Sequence, residues 1–406
     1  MADRLTLAEL AERCGTGSDR ITALVDLGIL QPEGGTFARR DVMRARVVAD
    51  LEASGIDAGQ LAAALASGHL TLGYLESGGR RHPRSQLTGA EIADQMGVPF
   101  QALERIYVAF GLPAPRADEQ LHEEDLGVLR VLPVLFGAGL DEGAVLPLAR
   151  VWGDGVRRIA QYLPHYFHKA IEGPFRGRGL RDNEAYETAI RDVGLRMGRS
   201  GEDLLGWLFR RHSEVFMTEH HFAHVETALE DAGVRRRAPR ASEAVAFADL
   251  SGYTRLTEES GDEVAAEASL RLAQLANEIA ARHHGSVVKL LGDGVYLHFR
   301  DPGDAVRGSL EIVESTQSRG LPPAHVGVNA GPMLYDEGDY FGRTVNIAAR
   351  IANQASAGEV YVGESVAEAV SDAGLQFVEI GDVELKGIPE PVRILHAVRA
   401  SLEASA

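Results

Sequence analysis

The stretch Val287–Phe299, which reads VVKLLGDGVYLHF, constrains the fold of this chain more than any other. Two runs rich in apolar and β-branched residues flank a Gly-Asp-Gly centre, which is the pattern of a β-hairpin with a tight turn. The turn would hold Asp293 between two glycines and leave space for a phosphate-bound metal. Lys289 would share a face with Asp293 on a continuous strand, although the turn can rotate the carboxylate away. A lone Gly-Asp-Gly is also an ordinary turn, so its meaning depends on the rest of the chain.

Further stretches on either side give the hairpin its context. Ala244–Thr254, AVAFADLSGYT, is an apolar strand that ends at Asp249 and continues into a turn of small residues. Asp339–Arg350, DYFGRTVNIAAR, is an aromatic and glycine turn that runs into a helix. In this order the three stretches resemble the catalytic domain of class III adenylate cyclases, from about residue 242 to residue 398.

The predicted secondary structure of this region mixes strands and helices. It consists of a strand (Ala244–Leu250), a helix (about Glu263–His284), the hairpin, a helix (Pro302–Ser318), a strand (Ala324–Ala330), a helix (Thr344–Gln354) and further strands. This order resembles a ferredoxin-like sheet covered by helices. The predicted fold class is therefore α+β, a ferredoxin-like class III cyclase domain preceded by an all-α regulatory domain.

Composition and charge exclude several classes of protein. A chain of 406 residues, 45% hydrophobic and 25% charged, is typical of a soluble globular protein of two or three domains. The formal net charge of −18 argues against a general nucleic-acid binder. Cys14 is the only cysteine, which excludes an intrachain disulfide and a cysteine-based zinc site. No apolar run approaches the roughly 18 residues that span a bilayer, and the N-terminus lacks a signal-peptide core, so we expect a cytoplasmic protein without a membrane partner.

The N-terminal sequence predicts a helical module. Residues 5–30 carry apolar residues at helical spacing on both sides of a Gly-Thr-Gly-Ser break, which predicts helix, turn, helix with Ser18 or Asp19 as the second N-cap. A longer helix is predicted from Asp41 to about Ala53. The arrangement resembles the winged helix-turn-helix module of MerR-type regulators.

This module is repeated. The motif LTLAELA, which begins at Leu5, returns as LTGAEIA beginning at Leu87, and later glycines keep nearly the same spacing. The predicted domains are residues 1–84, a MerR-like helix-turn-helix module; 85–233, a second such module and a helical regulatory region; 234–241, a linker; and 242–400, the cyclase catalytic domain.

Two alternative functions apply to the repeated modules. They either bind DNA or serve as a reused packing or sensor scaffold. Acidic residues accompany the basic ones on the helices that would read DNA, with Asp19 beside Arg20 and Glu104 beside Arg105. A DNA-reading helix needs several basic or amide side chains, so the sequence does not favour DNA binding but leaves it open. The best contacts, if it occurs, are Arg39, Arg40, Arg44 and Arg46.

From Asp141 to about Gly233 the pattern stays helical, and histidines concentrate there. Breaks are predicted at Gly153, Pro164, Pro174 and Gly201. The histidines are His165, His168, His220, His221 and His224. Ordinary surface positions, metal binding and proton sensing are the alternatives. The motif EHHFAH lacks the HExxH glutamate between its ligands, which counts against metal binding. Proton sensing ranks above metal binding because histidine titrates at about pH 6.5 and these residues lie just before the catalytic domain.

The chain lacks a P-loop, which limits how it could bind a nucleotide. No GxxxxGK[ST] sequence occurs, so carboxylates and a metal would have to hold the phosphates. Asp249 and Asp293, on neighbouring strands, are suited to bring two divalent cations, Mg²⁺ or Mn²⁺, to one triphosphate, although each could also be a turn cap. The class III resemblance implies that both are metal ligands. It also implies conversion of ATP to 3′,5′-cyclic AMP and pyrophosphate by in-line attack of the ribose 3′-hydroxyl.

Other candidate residues would bind the purine, the ribose and the phosphates. Adenine presents an acceptor and a donor together, and Lys289 and Asp339 supply the matching pair at the family's purine-specifying positions, which favours ATP over GTP. Arg350 is suited to stabilise the charge that develops on the α-phosphoryl group in the transition state, because guanidinium matches phosphate geometry. Asn346, one helical turn earlier, can orient the ribose. The resemblance implies that Arg350 and Asn346 are the catalytic pair and that Lys386 binds the triphosphate. An exposed strand-end lysine is the alternative for Lys386.

One position departs from the family's pattern. His325, in HVGVNAG, stands where many relatives carry a phosphate-contacting arginine. A neutral imidazole would bind the terminal phosphate less well, which leaves the triphosphate affinity open.

The resemblance also implies an assembly. In this family the metal aspartates come from one subunit, and the purine, ribose and transition-state residues come from the other. Since one chain carries all of them, a symmetric homodimer would form two equivalent sites. The helical half joined to one cyclase domain resembles actinobacterial cyclases with an N-terminal regulatory domain. This implies autoregulation, with autoinhibition as one form and pH as one candidate signal.

Other functions stay open on the sequence alone. One is a MerR-like transcription regulator whose cyclase domain binds nucleotide without turnover, and another is a guanylate cyclase, which Lys289 and Asp339 oppose. The sequence does not identify the regulatory signal, the preferred metal, the basal activity or the direction of regulation.

Overall fold

The computed structural model describes residues 4–68, 70–72, 84–234 and 242–400. The chain divides into two compact units, Met1–Thr227 and Ala228–Ala406. Of the predicted linker, residues 235–241 lie outside the described residues. No described helix is both long and apolar enough to cross a bilayer.

The first unit is almost entirely helical in its described residues. Its helices are α1 (Leu7–Cys14), α2 (Ser18–Asp26), α3 (Arg39–Ala53), α4 (Ala58–Ala66), α5 (Gly89–Gln95), α6 (Phe100–Ala109), α7 (Glu123–Leu129), α8 (Val131–Gly137), α9 (Glu142–Tyr166), α10 (Gly173–Gly177), α11 (Asp182–Ala189) and α12 (Leu195–Asp231), of which the residues from Ala228 onward are assigned to the second unit. The π-helical segments Phe167–Glu172 and Ile190–Gly194 follow α9 and α11. Short antiparallel strands, β1 (Arg84–Thr88) and β2 (Gln120–His122), depart from the predicted all-α character.

The sequence repeat has a structural counterpart. Thr6 caps α1 and Thr88 caps α5, and in each case a glutamate three residues on, Glu9 or Glu91, accepts a hydrogen bond from the amide of the cap residue. Such a capping box satisfies amides that a helix start otherwise leaves unpaired. A separate apolar core surrounds each of the repeated helix pairs. The resemblance of these modules to MerR-type regulators stays a prediction.

Several predicted helix ends were wrong. Helix α9 continues through Gly153 and Pro164, and α12 continues through Gly201. Gly153 is buried, and a Cβ there would lie 2.5 Å from the backbone of Phe110, so this glycine permits close helix packing instead of a break. Pro174 does lie where a new helix, α10, begins. The N-cap of α2 is Gly17 and not Ser18 or Asp19, because the helix already begins at residue 18.

The described residues of the second unit form a seven-stranded sheet with flanking helices. The strands of the sheet are β3 (Ala244–Leu250), β4 (Gly285–Leu290), β5 (Gly294–Phe299), β6 (Ala324–Ala330), β9 (Val360–Gly363), β10 (Leu375–Val383) and β11 (Val392–Arg399). A separate small hairpin consists of β7 (Leu334–Asp336) and β8 (Asp339–Phe341). The helices of this unit are α13 (Tyr253–Ser260), α14 (Asp262–Arg282), α15 (Pro302–Thr316), α16 (Arg343–Ala352) and α17 (Glu364–Ala369).

The sheet separates two apolar layers. The strand order is β10-β11-β9-β6-β3-β5-β4, with β6 and β9 parallel and the other neighbours antiparallel. Alanines at alternate positions of β3 pack against α14 and α15 in the larger core. Val245 and Phe247, on the opposite face of β3, pack with residues of α16 and the β7–β8 hairpin. This arrangement confirms the predicted α+β, ferredoxin-like fold, and by the same alternation Asp249, the second-last residue of β3, lies on the α16 face.

A close approach between α16 and the sheet fixes the position of this helix. A Cβ on Gly327 of β6 would lie 2.0 Å from the backbone nitrogen of Ala352, so the helix rests directly on the strand. Since α16 carries Asn346 and Arg350, this contact sets where both side chains project from the sheet.

Candidate active site

The candidate metal aspartates lie at the ends of adjacent strands. Asp249 is in register with Gly294, the residue that follows Asp293. The amide of Leu250 donates a hydrogen bond of 3.1 Å to the carbonyl of Asp293, which ties the hairpin turn to the end of β3. A Cβ on Gly294 would lie 1.8 Å from Asp249 Oδ1, so a glycine at position 294 is needed for the carboxylate to occupy this position. The sheet thereby brings together two carboxylates that are far apart in sequence.

The electrostatics of this corner suit a cation. Burial raises the pKa of the Asp249 carboxyl; the nearby His325 lowers it and the Asp293 carboxylate raises it. His325 faces Asp249 across the β3–β6 pairing, and its Nδ1 lies 3.0 Å from Ser251 Oγ. Adjacent carboxylate oxygens are ligands that Mg²⁺ and similar hard cations prefer. Within the described ranges no group of three or more His, Cys, Asp or Glu could hold a metal, so a cation here would draw further ligands from water or substrate oxygens.

Lys289 and Asp339 meet although fifty residues separate them in sequence. Lys289 Nζ lies 3.4 Å from Asp339 Oδ2, and the amide of Tyr340 donates a hydrogen bond of 2.9 Å to Asp339 Oδ1. Lys289 lies on β4, just after a register shift in its pairing with β5. Because β4 ends at Leu290, Lys289 and Asp293 do not share a continuous strand, and the turn separates their side chains.

The candidate phosphate and ribose groups are exposed. Asn346 and Arg350 lie one turn apart on α16, and Lys386 lies in the connection between β10 and β11. None of these side chains has a hydrogen bond or ion pair with another residue in the part of the chain that the structure describes. Exposed polar groups without a protein partner remain available to a ligand or to a second chain.

The structure adds an aromatic cluster that the sequence analysis missed. His298 stacks on Tyr340 with ring centroids 4.2 Å apart, and Phe247 stacks on Tyr296 at 4.4 Å. Glu243 is paired with His298 at 3.1 Å. Tyr296 and His298 alternate within the hairpin stretch, a signal that places both on one face, but nothing in the sequence reveals their partners.

Comparison with known protein families decides the identity of both units. Residues 238–397 match the family described as the adenylate and guanylate cyclase catalytic domain, and residues 30–212 match the adenylate cyclase regulatory domain. The chain belongs to the class III adenylate cyclases. This family membership makes it an enzyme of the phosphorus–oxygen lyase class.

Relatives of this cyclase match it over most of their length. A pH-sensitive adenylate cyclase of Mycobacterium tuberculosis is 29% identical over 326 residues, which are 78% of this chain and 79% of that protein. An adenylate cyclase of Streptomyces coelicolor is 28% identical over 286 residues, 69% of this chain and 71% of the relative. Among solved structures, an adenylate/guanylate cyclase/hydrolase from Silicibacter pomeroyi is 31% identical with a TM-score of 0.35, and it covers 40% of this chain and 98% of its own.

Proposed function

We propose that this protein converts ATP to 3′,5′-cyclic AMP and pyrophosphate at sites formed by a homodimer, under control of its N-terminal unit. The observation that carries the choice of ATP is the pair of Lys289 and Asp339, a donor and an acceptor 3.4 Å apart. Adenine presents an acceptor, N1, beside a donor, the N6 amino group, so this pair can recognise both atoms. Guanine presents the opposite pattern on that edge. The curated relatives named as adenylate cyclases support the same substrate.

Asp249 and Asp293 would hold two divalent cations, Mg²⁺ or Mn²⁺. Bound cations would lower the pKa of the ribose 3′-hydroxyl and neutralise triphosphate charge. The position fits this role because the two carboxylates offer hard oxygen donors and because burial and Asp293 both disfavour ionisation of Asp249 in the free protein. A cation would compensate that cost, so metal binding and ionisation of Asp249 should be coupled.

The exposed groups of α16 and the β10–β11 connection would act on the phosphates and the ribose. Arg350 would stabilise charge that develops on the α-phosphoryl group, Asn346 would orient the ribose, and Lys386 would bind the triphosphate. Their exposure without partners in the described residues supports these roles. In a symmetric dimer the aspartates of one chain would face the purine pair and α16 of the other, and both sites would be equivalent.

His325 would make triphosphate binding weaker than an arginine would. A guanidinium offers a rigid fork of donors to phosphate, whereas an imidazole offers at most one donor on each nitrogen. In this structure one of those nitrogens lies 3.0 Å from Ser251 Oγ. We therefore expect a comparatively high KM for ATP.

Regulation would originate in the first unit, most of which matches a cyclase regulatory domain. We take His168 as the candidate sensor, because its Nδ1 lies 2.5 Å from an oxygen of the buried Glu172. Arg176 binds the other oxygen of Glu172. Protonation of His168 would add a second positive charge beside this carboxylate. His220, His221 and His224 are exposed on α12.

The contacts of the N-terminal arginines support a scaffold role over DNA binding. Arg40 lies 3.6 Å from Glu33, and Arg105 forms a two-bond pair with Glu142 at 2.7 Å. Arg44 also has a partner, Arg46 donates to the carbonyl of Arg13, and the side chain of Arg39 lies outside the described part. Arginines already engaged by the protein contribute less to phosphate binding.

The decisive experiment is cyclic-nucleotide production by the purified full-length protein with ATP or GTP and with Mg²⁺ or Mn²⁺. We expect metal-dependent turnover of ATP that Asp293→Asn abolishes and that a matched exposed change, Asp382→Asn, leaves intact. A protein that binds nucleotide but forms no product under any condition, alone or as residues 242–406, would instead support a nucleotide-binding regulator.

The same assay tests regulation. If the first unit inhibits, residues 242–406 should turn over faster per site than the full chain. Equal rates, with both proteins dimeric, would remove autoinhibition from the proposal. A pH response that His168→Gln abolishes, and that His220→Gln leaves unchanged, would locate the sensor at the Glu172 cluster.

A further inference from the structure

On the basis of the proposed function, we propose that His298 is a positioning residue for purine selection, because it fixes Tyr340 and Tyr340 fixes the carboxylate of Asp339. The residues that select a purine must hold their donors and acceptors within a few tenths of an ångström, so the groups behind them determine how sharply they discriminate.

His298 is held on three sides. Only 7% of it is exposed, on strand β5. Its Nε2 lies 3.1 Å from Glu243 Oε2, and its Nδ1 lies 3.3 Å from the hydroxyl of Tyr340. The imidazole and phenol rings are nearly parallel, with an angle of 10° between their planes. A buried histidine with both nitrogens engaged and one face covered has little freedom to turn.

These partners define the proton positions. The hydrogen bond from His298 lowers the pKa of the Glu243 carboxyl, so at neutral pH the glutamate is ionised and can only accept. Burial raises the pKa of Tyr340 to about 12, with Glu243 and Tyr335 adding to it and Arg300 opposing it, so its hydroxyl keeps its proton. His298 therefore donates from Nε2 to the ionised Glu243, and the hydroxyl of Tyr340 lies 3.3 Å from its Nδ1.

Tyr340 connects the His298 ring to the purine-selecting pair, Lys289 and Asp339. Its backbone amide donates to Asp339 Oδ1 at 2.9 Å, while Lys289 approaches Oδ2. Its carbonyl accepts a hydrogen bond of 3.4 Å from the hydroxyl of Tyr296. One residue thus joins the His298 ring, through its side chain, to the Asp339 carboxylate, through its main chain.

The hairpin that carries Asp339 needs this anchor. Strands β7 and β8 are three residues each and form a two-stranded sheet separate from the seven-stranded one. Leu334 and Tyr335 are 64% and 62% exposed, so β7 contributes little packing. A short isolated hairpin is marginal in water, and Tyr340 is the β8 residue that packs with the apolar cluster on this face of the sheet. Loss of the His298 contact should let Asp339 move with the hairpin.

The test compares ATP and GTP in the full-length enzyme. His298→Phe keeps an aromatic ring against Tyr340 but removes both hydrogen bonds, and Tyr340→Phe removes only the bond to Nδ1. His396→Phe, a histidine of β11 in the same unit, is the matched control. We measure kcat and KM for both nucleotides, the melting temperature, and the affinity for non-hydrolysable ATP and GTP analogues.

We expect His298→Phe to lower the ATP-to-GTP ratio of kcat/KM roughly tenfold, mainly by raising the KM for ATP, and Tyr340→Phe to lower it roughly threefold. In an Asp339→Asn background, His298→Phe should change the ratio no further, because the residue that it positions is gone. His396→Phe should leave the ratio unchanged.

A variant that loses activity equally with ATP and GTP, or that remains additive with Asp339→Asn, would show that His298 has only a structural role. If the wild-type enzyme forms no product yet binds the ATP analogue preferentially, the proposed turnover fails and the binding ratio of the variants decides the role of His298. If it binds both analogues equally, both proposals fail.

Discussion

Gly294 leaves space for the Asp249 carboxylate. Replacing Gly294 with alanine should therefore disable the proposed metal site while leaving the fold intact. Gly294 begins β5 in register with Asp249, and its backbone angles are accessible to alanine because its φ is not positive. The added Cβ would lie 1.8 Å from Asp249 Oδ1. Real Cβ atoms essentially never approach other atoms within 3.0 Å, so the carboxylate must move by at least about 1.2 Å.

The size of that displacement sets the expected loss. Metal–oxygen distances tolerate deviations of only about 0.2 Å, and a misplacement near 1 Å in a catalytic constellation costs about 100-fold. We therefore expect kcat/KM for ATP to fall about 100-fold, equivalent to about 2.7 kcal/mol at 1.36 kcal/mol per tenfold change. The melting temperature should change little, because the atom that is displaced first belongs to a side chain and not to the backbone.

The assay is cyclic AMP formation as a function of Mn²⁺ and Mg²⁺ concentration, together with thermal unfolding. We expect the metal concentration for half-maximal rate to rise in Gly294→Ala. Gly374→Ala is the matched control in the same unit, since its added Cβ would lie 3.3 Å from Asp372 Oδ1, a distance that needs only a small adjustment. In an Asp249→Ala background the contact with the carboxylate disappears, so Gly294→Ala should lower the melting temperature less than it does in the wild-type background.

Wild-type activity and metal dependence in Gly294→Ala would refute the reasoning. Such a result would mean either that Asp249 leaves its position without consequence, and so is not a metal ligand, or that the close contact at Gly294 does not exist. The double variant separates these cases, because only a real contact makes the two substitutions non-additive.

Further predictions concern stability and pH. Gly327→Ala should force α16 off the sheet, since its Cβ would lie 2.0 Å from the Ala352 nitrogen; we expect a loss of about 3 kcal/mol, or roughly 6–12 °C in Tm, with loss of activity, and a Tm within 2 °C of wild type would contradict this. Asp249→Asn should abolish turnover yet raise the Tm of the metal-free protein at neutral pH, because burial and Asp293 raise the pKa of Asp249 and so make its ionised form unfavourable in the folded state. The increase in Tm should be present above the raised pKa of Asp249 and should vanish as the pH falls below the ordinary aspartate pKa. An increase in Tm that does not depend on pH would show that ionisation of Asp249 is not its cause. Glu172→Gln should lower the free energy of unfolding by about 1.5–3 kcal/mol in a urea titration, because this buried carboxylate accepts hydrogen bonds from a charged arginine, and an unchanged midpoint would show that the pair contributes nothing.

Local patterns in the sequence predicted much of the catalytic fold. The bounds of Ala244–Leu250 and Ala324–Ala330 agree with the structure residue for residue. Both strands are buried on two faces, so a continuous apolar run identifies them without knowledge of their neighbours. The hairpin was likewise predictable from its central glycines, one of which, Gly292, has a φ of 78°.

The helical half was harder to divide. Gly153, Pro164 and Gly201 were predicted as breaks because glycine and proline have low intrinsic helix propensity. Packing overrides that preference: at Gly153 the missing side chain is what lets α9 meet the backbone at Phe110. A local propensity scale cannot anticipate a contact between segments about forty residues apart.

The sequence by itself determined the strands and helices of the catalytic unit, the order of its polar residues and the family that they resemble, because each of these depends on neighbours within one turn or one strand. Only the tertiary structure decided which of those residues meet. The sheet order brings Asp249 beside Asp293, the β7–β8 hairpin brings Asp339 to Lys289, and the pairing of β3 with β5 brings Glu243 to His298. Such contacts depend on strand register and on hairpin packing, which arise from the burial of the whole core and are not encoded at any single position.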